Sequence, residues 1–286
     1  MREPSSRVLI FDVNNEYGEH NVKTIALEHL PVFMVHPKKE IRRILPFNFI
    51  PGKAPEKMST AQMLETLEKI VKIYQGGALV IEDPNKYIGD AMSNDLTGSI
   101  CTNRHNSCDM IMHYQSISRP LPKIHQNCNL YRFHYQSDDV NRSKSKLEEL
   151  TQVFKIAQIM VYKTFFMSAN PKHPCKFYHV YINRDSGKIV GNYTQKQFDD
   201  ACEEYISTNH SELKPWLVKR DNYGRQVYTY PTAVQAFKAL LTQKYYGNAE
   251  ISQYHQQYRE AKLMIATGFK GTGKTWETMR FLRQEY

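Results

Sequence analysis

With 286 residues, 41% hydrophobic and 23% charged, the chain has the make-up of a soluble globular protein, long enough for one large domain or a domain with an appendage. No run of ~18 apolar residues marks a transmembrane helix, MREPSSRVLIFDV lacks the apolar stretch of a signal peptide, and five cysteines without CxxC spacing argue against a disulfide framework or a zinc site, so a reducing, cytoplasmic setting is expected. The surplus of 38 Lys and Arg over 29 Asp and Glu, formally +9, points to polyanionic partners, chiefly nucleic acid, about as strongly as it points to plain solubility.

In chain order, Arg7 to Val13 (RVLIFDV) reads as a buried strand, and Pro31 to Val35 (PVFMV) as a second. A loop rich in Pro, Gly and Lys spans Pro46 to Met58. Ser59, with Gln62 three residues on, forms a capping box that opens a helix. Met63, Leu67, Ile70, Val71 and Tyr74 give that helix its apolar face, and Gly76-Gly77 ends it. Ala78 to Ile81 is a strand tipped by Glu82-Asp83. Further strands are expected at Asp109 to His113 and Leu130 to His134. Strands alternating with helices indicate an α/β core with a mainly parallel sheet. From Ile156 the texture changes: MVYKTFFM and FYHVYIN read as β-rich runs on either side of a basic loop at Asn170 to Lys176. A turn at Asp185-Ser186-Gly187 leads to IVGNY, so antiparallel hairpins are expected here. After a polar, irregular stretch from Ser207 to Tyr230 comes a helix at about Thr232 to Tyr246, then a strand at Leu263 to Thr267 and a final helix.

Between that last strand and helix, Gly268-Phe269-Lys270-Gly271-Thr272-Gly273-Lys274-Thr275 fits GxxxxGK[ST] at every fixed position. Glycines let the backbone wrap a phosphate with its N–H groups inward, and the following helix directs its positive end at the same anion. Such a Walker A loop is expected to bind a nucleoside triphosphate, ATP: Lys274 would reach the β- and γ-phosphates, and the Thr275 hydroxyl would bind Mg²⁺. Glu82 and Asp83 end a hydrophobic strand with hard oxygen ligands suited to Mg²⁺. One would hold the ion through water and the other would take a proton from an attacking water. Which acid does which stays open, because the usual order is Asp then Glu.

Three segments resemble the HerA/FtsK superfamily of DNA-pumping ATPases. VLIFDVNNEYGEH (Val8 to His20) is similar to its second core strand, Ala78 to Asp83 to its acid-tipped strand, and Thr102 to Ser137 to the stretch where an arginine-bearing helix end precedes a strand ending in a sensor glutamine. Arg104-His105 and Gln115 match that last pattern, which looks especially like zonular-occludens-toxin-type ATPases of filamentous phages and the packaging ATPases of other viruses. The resemblance covers about residues 7–137 and 260–286. In that superfamily the phosphate loop comes first; here it comes last, and joining Tyr286 to Met1 restores a strand, loop, helix and strand of normal length. The expectation is therefore a circularly permuted P-loop NTPase of the ASCE/RecA-like kind, an α/β fold with an added β-hairpin region. Its core would comprise residues 1–155 plus 255–286, with an appendage at 156–254.

The resemblance implies ATP hydrolysis at the subunit interfaces of a homo-oligomeric ring that translocates double-stranded DNA, with a viral portal or capsid vertex as a further partner, in the host cytoplasm or with the virion. Gln115 would sense the γ-phosphate or orient water, and Arg104 and Arg119 are candidates for an arginine finger in trans. Asp12 and Glu16, at a strand end, are expected to face the nucleotide, Asp12 serving equally as a helix or turn cap. Lys172, His173 and Lys176, at the expected hairpin tip, are DNA-contact candidates; Lys38-Lys39 and Arg42-Arg43 form a second basic group. The hairpin aromatics Phe165, Phe166, Phe177 and Tyr178 read as core. Two other readings compete: a filamentous-phage-type assembly or extrusion ATPase, and a non-motor nucleotide-binding protein or kinase.

Overall fold

The computed structural model describes residues 7–35, 40–48, 52–89, 92–102, 107–167, 177–248 and 262–286. Its centre is a nine-stranded sheet. In chain order the strands are β1 (Arg7–Phe11), β2 (Lys23–Thr24), β3 (Glu40–Ile44), β6 (Gly77–Glu82), β7 (Cys108–Tyr114), β8 (Leu130–His134), β9 (His179–Asn183), β10 (Lys188–Val190) and β11 (Leu263–Thr267). A separate two-stranded ribbon, β4 (Phe47–Asn48) with β5 (Glu56–Lys57), lies within the loop expected at Pro46 to Met58. The main sheet reads β10-β9-β8-β11-β7-β6-β1-β3-β2. All pairings are parallel except β8–β9 and β9–β10.

Strand residues alternate between two cores, as the period of two demands. Leu9, Phe11, Leu79, Ile81, Met110, Met112, Tyr131, Phe133 and Ile265 pack on one face, under helices α2 (Thr60–Ile73), α6 (Thr151–Phe166), α7 (Gln195–Thr208) and α9 (Tyr230–Tyr245). Val8, Ile10, Val80, Ile111, Leu130 and Met264 pack on the other, under Met279, Phe281 and Leu282 of the final helix, α10 (Lys274–Glu285). Buried strands covered on both faces require the near-continuous apolar runs seen in the sequence.

The capping box forms as expected: Ser59 accepts from Gln62 N while Gln62 accepts from Ser59 N, and Met63, Leu67, Ile70 and Val71 are buried. The hairpin β9–β10 forms about the turn at Asp185 to Gly187, with Ile182 opposite Ile189. Two expected strands are helices. PVFMV lies in α1 (Leu30–Val35), where only Leu30 and Phe33 are buried, three residues apart, while Val32 and Val35 are 65% and 81% exposed. Pro31 sits in its first turn, where a missing N–H costs no bond. MVYKTFFM is the end of α6, whose Val153, Phe154, Ile156, Ala157, Met160 and Val161 bury at helical spacing. A helix seated on a wide apolar sheet is hydrophobic over most of its girth, which hides its period. The expected boundary at 155/156 therefore falls inside α6, and the β9–β10 hairpin continues the core sheet through β8.

Strand β11 is the last in the chain yet lies between β7 and β8. Counted from β11 as first, with β1, β6, β7 and β8 as second to fifth, the central sheet reads fifth, first, fourth, third, second. At the opposite edge Tyr286 donates from its hydroxyl to Asp109 at the start of β7, and Tyr74 donates to Arg7 O at the start of β1. This is the α/β fold of a P-loop NTPase, with its loop strand last. Among the described residues no helix is long and apolar enough to cross a membrane.

Candidate nucleotide site

Because the central strands run parallel, their carboxyl ends share one edge, and the singled-out residues collect there. The loop after β11 is fastened to both neighbouring strands' ends: Gly268 N donates to Tyr114 O (3.2 Å) and Phe269 N to Tyr135 O (3.0 Å). Gly268, Gly271 and Gly273 adopt φ of 153°, 83° and 82°, the left-handed range that wraps the chain before α10 begins. At Gly268 a Cβ would stand 2.5 Å from His134 Cβ, so only glycine fits. The Thr272 hydroxyl closes the loop onto Phe269 O (2.8 Å). Lys274 folds back over it, donating from Nζ to the carbonyls of Gly268 (2.7 Å) and Phe269 (3.0 Å).

Facing this loop across a cleft of about 540 Å³ are Asn14, Glu16, Glu82, Asp83, Lys86 and Gln115. Glu82 and Asp83 are 2% and 5% exposed. Burial by itself would raise the Glu82 carboxyl, but His113 beside it and the Asn14 amide hold it below its ordinary value. His113 Nδ1 lies 2.7 Å from Glu82 Oε1, an off-line approach rather than a linear hydrogen bond. Burial in turn holds the imidazole below its usual range, so the pair is carboxylate and neutral ring. Asp83 has φ of 40°, a strained backbone for a residue with a side chain. Despite its burial, its carboxyl is held below the ordinary value by Asn14 (3.0 Å), Lys86 (3.1 Å) and Gln115 (3.3 Å). Burial lowers the Lys274 ammonium, and Glu82, Asp83 and Glu16 oppose that shift.

Glu16 enters the cleft and accepts from the Thr275 hydroxyl at 2.6 Å. Asp12 does not. It is fully buried, accepting from Glu16 N (2.9 Å), Tyr17 N (3.1 Å) and Arg43 (2.8 Å); it is the turn cap that aims Glu16. Arg43 is thereby an internal partner rather than part of a free basic patch, and Arg42 pairs with Glu40 (2.6 Å). Arg119 is exposed and away from the cleft lining. Arg104, His105, Lys38, Lys39, Lys172, His173 and Lys176 lie outside the described residues.

Sequence reasoning missed the layer beneath the loop. His113 Nε2 meets Thr278 Oγ1 at 2.8 Å, and Arg132, 1% exposed, donates to Thr278 Oγ1 and to Lys274 O (2.9 Å). The hydrogen-bond roles agree along the chain: Arg132 gives to Thr278, Thr278 gives to His113, and the His113 N–H faces Glu82. His134 and His179, paired across β8 and β9 with ring centroids 4.7 Å apart, lie alongside. The available signal was polar residues inside apolar strands, in DMIMH and LYRFH. Asn14 and Lys86 were also missed, each lying within four residues of an acid that was singled out.

Among the described residues no three His, Cys, Asp or Glu side chains converge as a metal cage. The donors present, a threonine hydroxyl and neighbouring carboxylates, suit an ion that completes its shell with phosphate oxygens and water, the habit of Mg²⁺.

The sequence matches no protein-family model and no curated protein. Among solved structures, the chain is similar to the genome packaging NTPase B204 from Sulfolobus turreted icosahedral virus 2. In complex with AMP, that structure shares 12% identity at a TM-score of 0.41, over 64% of this chain and 79% of that one. Its complex with ATP-gammaS shares 13% identity at a TM-score of 0.40, over the same portions.

Proposed function

We propose that this chain is an ATPase that binds ATP with Mg²⁺ in the cleft and couples hydrolysis to translocation of double-stranded DNA, as a viral genome-packaging motor. The observation that carries the reading is one cleft in which a phosphate-wrapping loop and its lysine face two carboxylates and a glutamine. Loop amides and the Lys274 ammonium hold the β- and γ-phosphates. When bound, Mg²⁺ neutralises charge developing on those phosphates. Thr275 and Glu82 serve the ion side, with Glu82 oriented by His113 and Asn14. Asp83 takes the proton of the attacking water, kept ionised by Asn14 and Lys86, and Gln115 beside it orients that water. The trans arginine, Arg119 or Arg104, comes from a neighbouring copy in a homo-oligomeric ring. Lys172, His173 and Lys176 are our DNA-contact candidates. Support for the DNA-motor part comes from the sequence resemblance and the +9 charge.

The test is ATP turnover with and without double-stranded DNA, beside Lys274→Ala. Turnover that DNA stimulates and Lys274→Ala abolishes is the expected result. Turnover indifferent to DNA overturns the translocase reading in favour of an assembly ATPase. Absence of nucleotide binding overturns the reading altogether.

A further inference from the structure

The cleft has two chemically different sides, and the strand order separates them. The phosphate loop leaves the sheet between β7 and β8. Toward β7 and β6 stand Gln115, Glu82, Asp83 and Lys86, all charged or polar. Toward β8 and β9 the lining includes an aromatic ring, Phe177, two residues before β9. That ring rests on the loop itself: a Cβ built on Gly273 would lie 2.7 Å from its Cδ1 and 3.2 Å from its Cγ. The second aromatic of the lining, Trp276, stands in the first turn of α10 directly after Thr275. It is 54% exposed, and the Arg280 guanidinium lies 6.0 Å from the centre of its ring.

A nucleotide is asymmetric in the same way. Its terminal phosphate has to reach the carboxylates for hydrolysis, and its other end is a flat aromatic base that gains by stacking. With the phosphates held on the loop and the terminal one toward β6 and β7, the base leaves on the opposite side, where the aromatic rings are. We propose that Phe177 and Trp276 form the base-binding wall of this cleft, taking the aromatic base of a nucleoside triphosphate by stacking. The proposal rests on the nucleotide reading above. Since every base offers a π-face, a stacking wall tolerates exchange of one purine for another.

Two probes separate the wall from the loop: the non-hydrolysable ATP analogue AMPPCP, which has a base, and inorganic tripolyphosphate, which has none. Both are titrated with Mg²⁺ against the full chain by calorimetry. Phe177→Ala and Trp276→Ala are expected to weaken AMPPCP about 10-fold or more, as loss of one stacked ring does, while tripolyphosphate affinity stays within about twofold. Phe177→Trp keeps a ring and is expected to retain AMPPCP binding, so a defect in Phe177→Ala that this variant does not rescue overturns the proposal. Undiminished AMPPCP binding in both alanine variants overturns it too. Equal losses for both probes also overturn it, since Phe177 would then only be shaping the loop at Gly273. Failure of the nucleotide reading looks different: the wild-type chain binds neither probe, or Lys274→Ala leaves tripolyphosphate affinity unchanged.

Discussion

Removing His113 isolates the polar layer beneath the phosphate loop. The imidazole is fully buried between Glu82, which is 2% exposed, and Thr278, which is fully buried. In His113→Ala the Glu82 carboxylate loses its contact at 2.7 Å and Thr278 its contact at 2.8 Å. Deleting the neutral ring leaves the buried carboxylate without its nearest polar neighbour and opens a void, a combined cost of about 3–5 kcal/mol. Against a total stability of about 5–15 kcal/mol, that is a large share. In a Glu82→Gln background the charge is absent, so the same substitution should cost only about 1–3 kcal/mol, from the unpaired hydroxyl and the void. Urea unfolding followed by circular dichroism on the four members of this cycle measures the difference, a coupling of about 2 kcal/mol. The exposed i,i+4 pair Lys69–Glu65 is the control and should show no measurable coupling. If His113→Ala costs the same in both backgrounds, the layer is packing alone, and His113 does not hold Glu82 as a charged group.

Gly268→Ala should destabilise the fold by about 1–3 kcal/mol and weaken nucleotide binding, since a Cβ would meet His134 Cβ at 2.5 Å. Gly271→Ala, with open space around it, should show only the left-handed backbone cost of about 1–2 kcal/mol; paired thermal melts and nucleotide titrations check both. Acid should destabilise the protein before its carboxylates titrate. Burial pushes His125 down to about 4 and His179 down to about 3, both below the ordinary 6.5. The unfolded chain therefore takes up these protons first. Their stabilisation is whole above pH 6.5 and drains as pH falls through the window toward 4 and 3, by up to about 1.4 kcal/mol per pH unit for each group. Urea midpoints should fall between pH 7 and pH 5, and a flat midpoint across that interval would count against the buried neutral rings.

Local chemistry made part of the site legible. The phosphate loop needs glycines, a lysine and a threonine at set spacing because one short turn does the whole task, and that turn forms as the spacing requires. The Ser59–Gln62 box and the acid-tipped β6 were legible for the same reason: their partners are near in sequence or their burial is continuous. Glu16 and Gln115 were found as strand-end residues, yet Glu16 meets Thr275 from 259 residues away and Gln115 meets Asp83 across the tips of β7 and β6. Asp12, equally a strand-end acid, turned inward because Arg43 and two backbone N–H groups satisfy it there.

What the sequence by itself determined was the set of short-range devices: the phosphate loop, the helix cap, the alternation of strands and helices, and which strand tips carry acids. Tertiary structure alone decided the rest. It made helices of PVFMV and MVYKTFFM, because the sheet supplies the apolar surface that a local pattern leaves unstated. It seated the last strand between β7 and β8, where β11 pairs in parallel on both sides, a long-range pairing that no local pattern specifies. By bringing β7, β8 and α10 together, it turned His113, Arg132 and Thr278 from isolated polar residues into one connected layer, since a buried polar group is tolerated only where the fold supplies its partner.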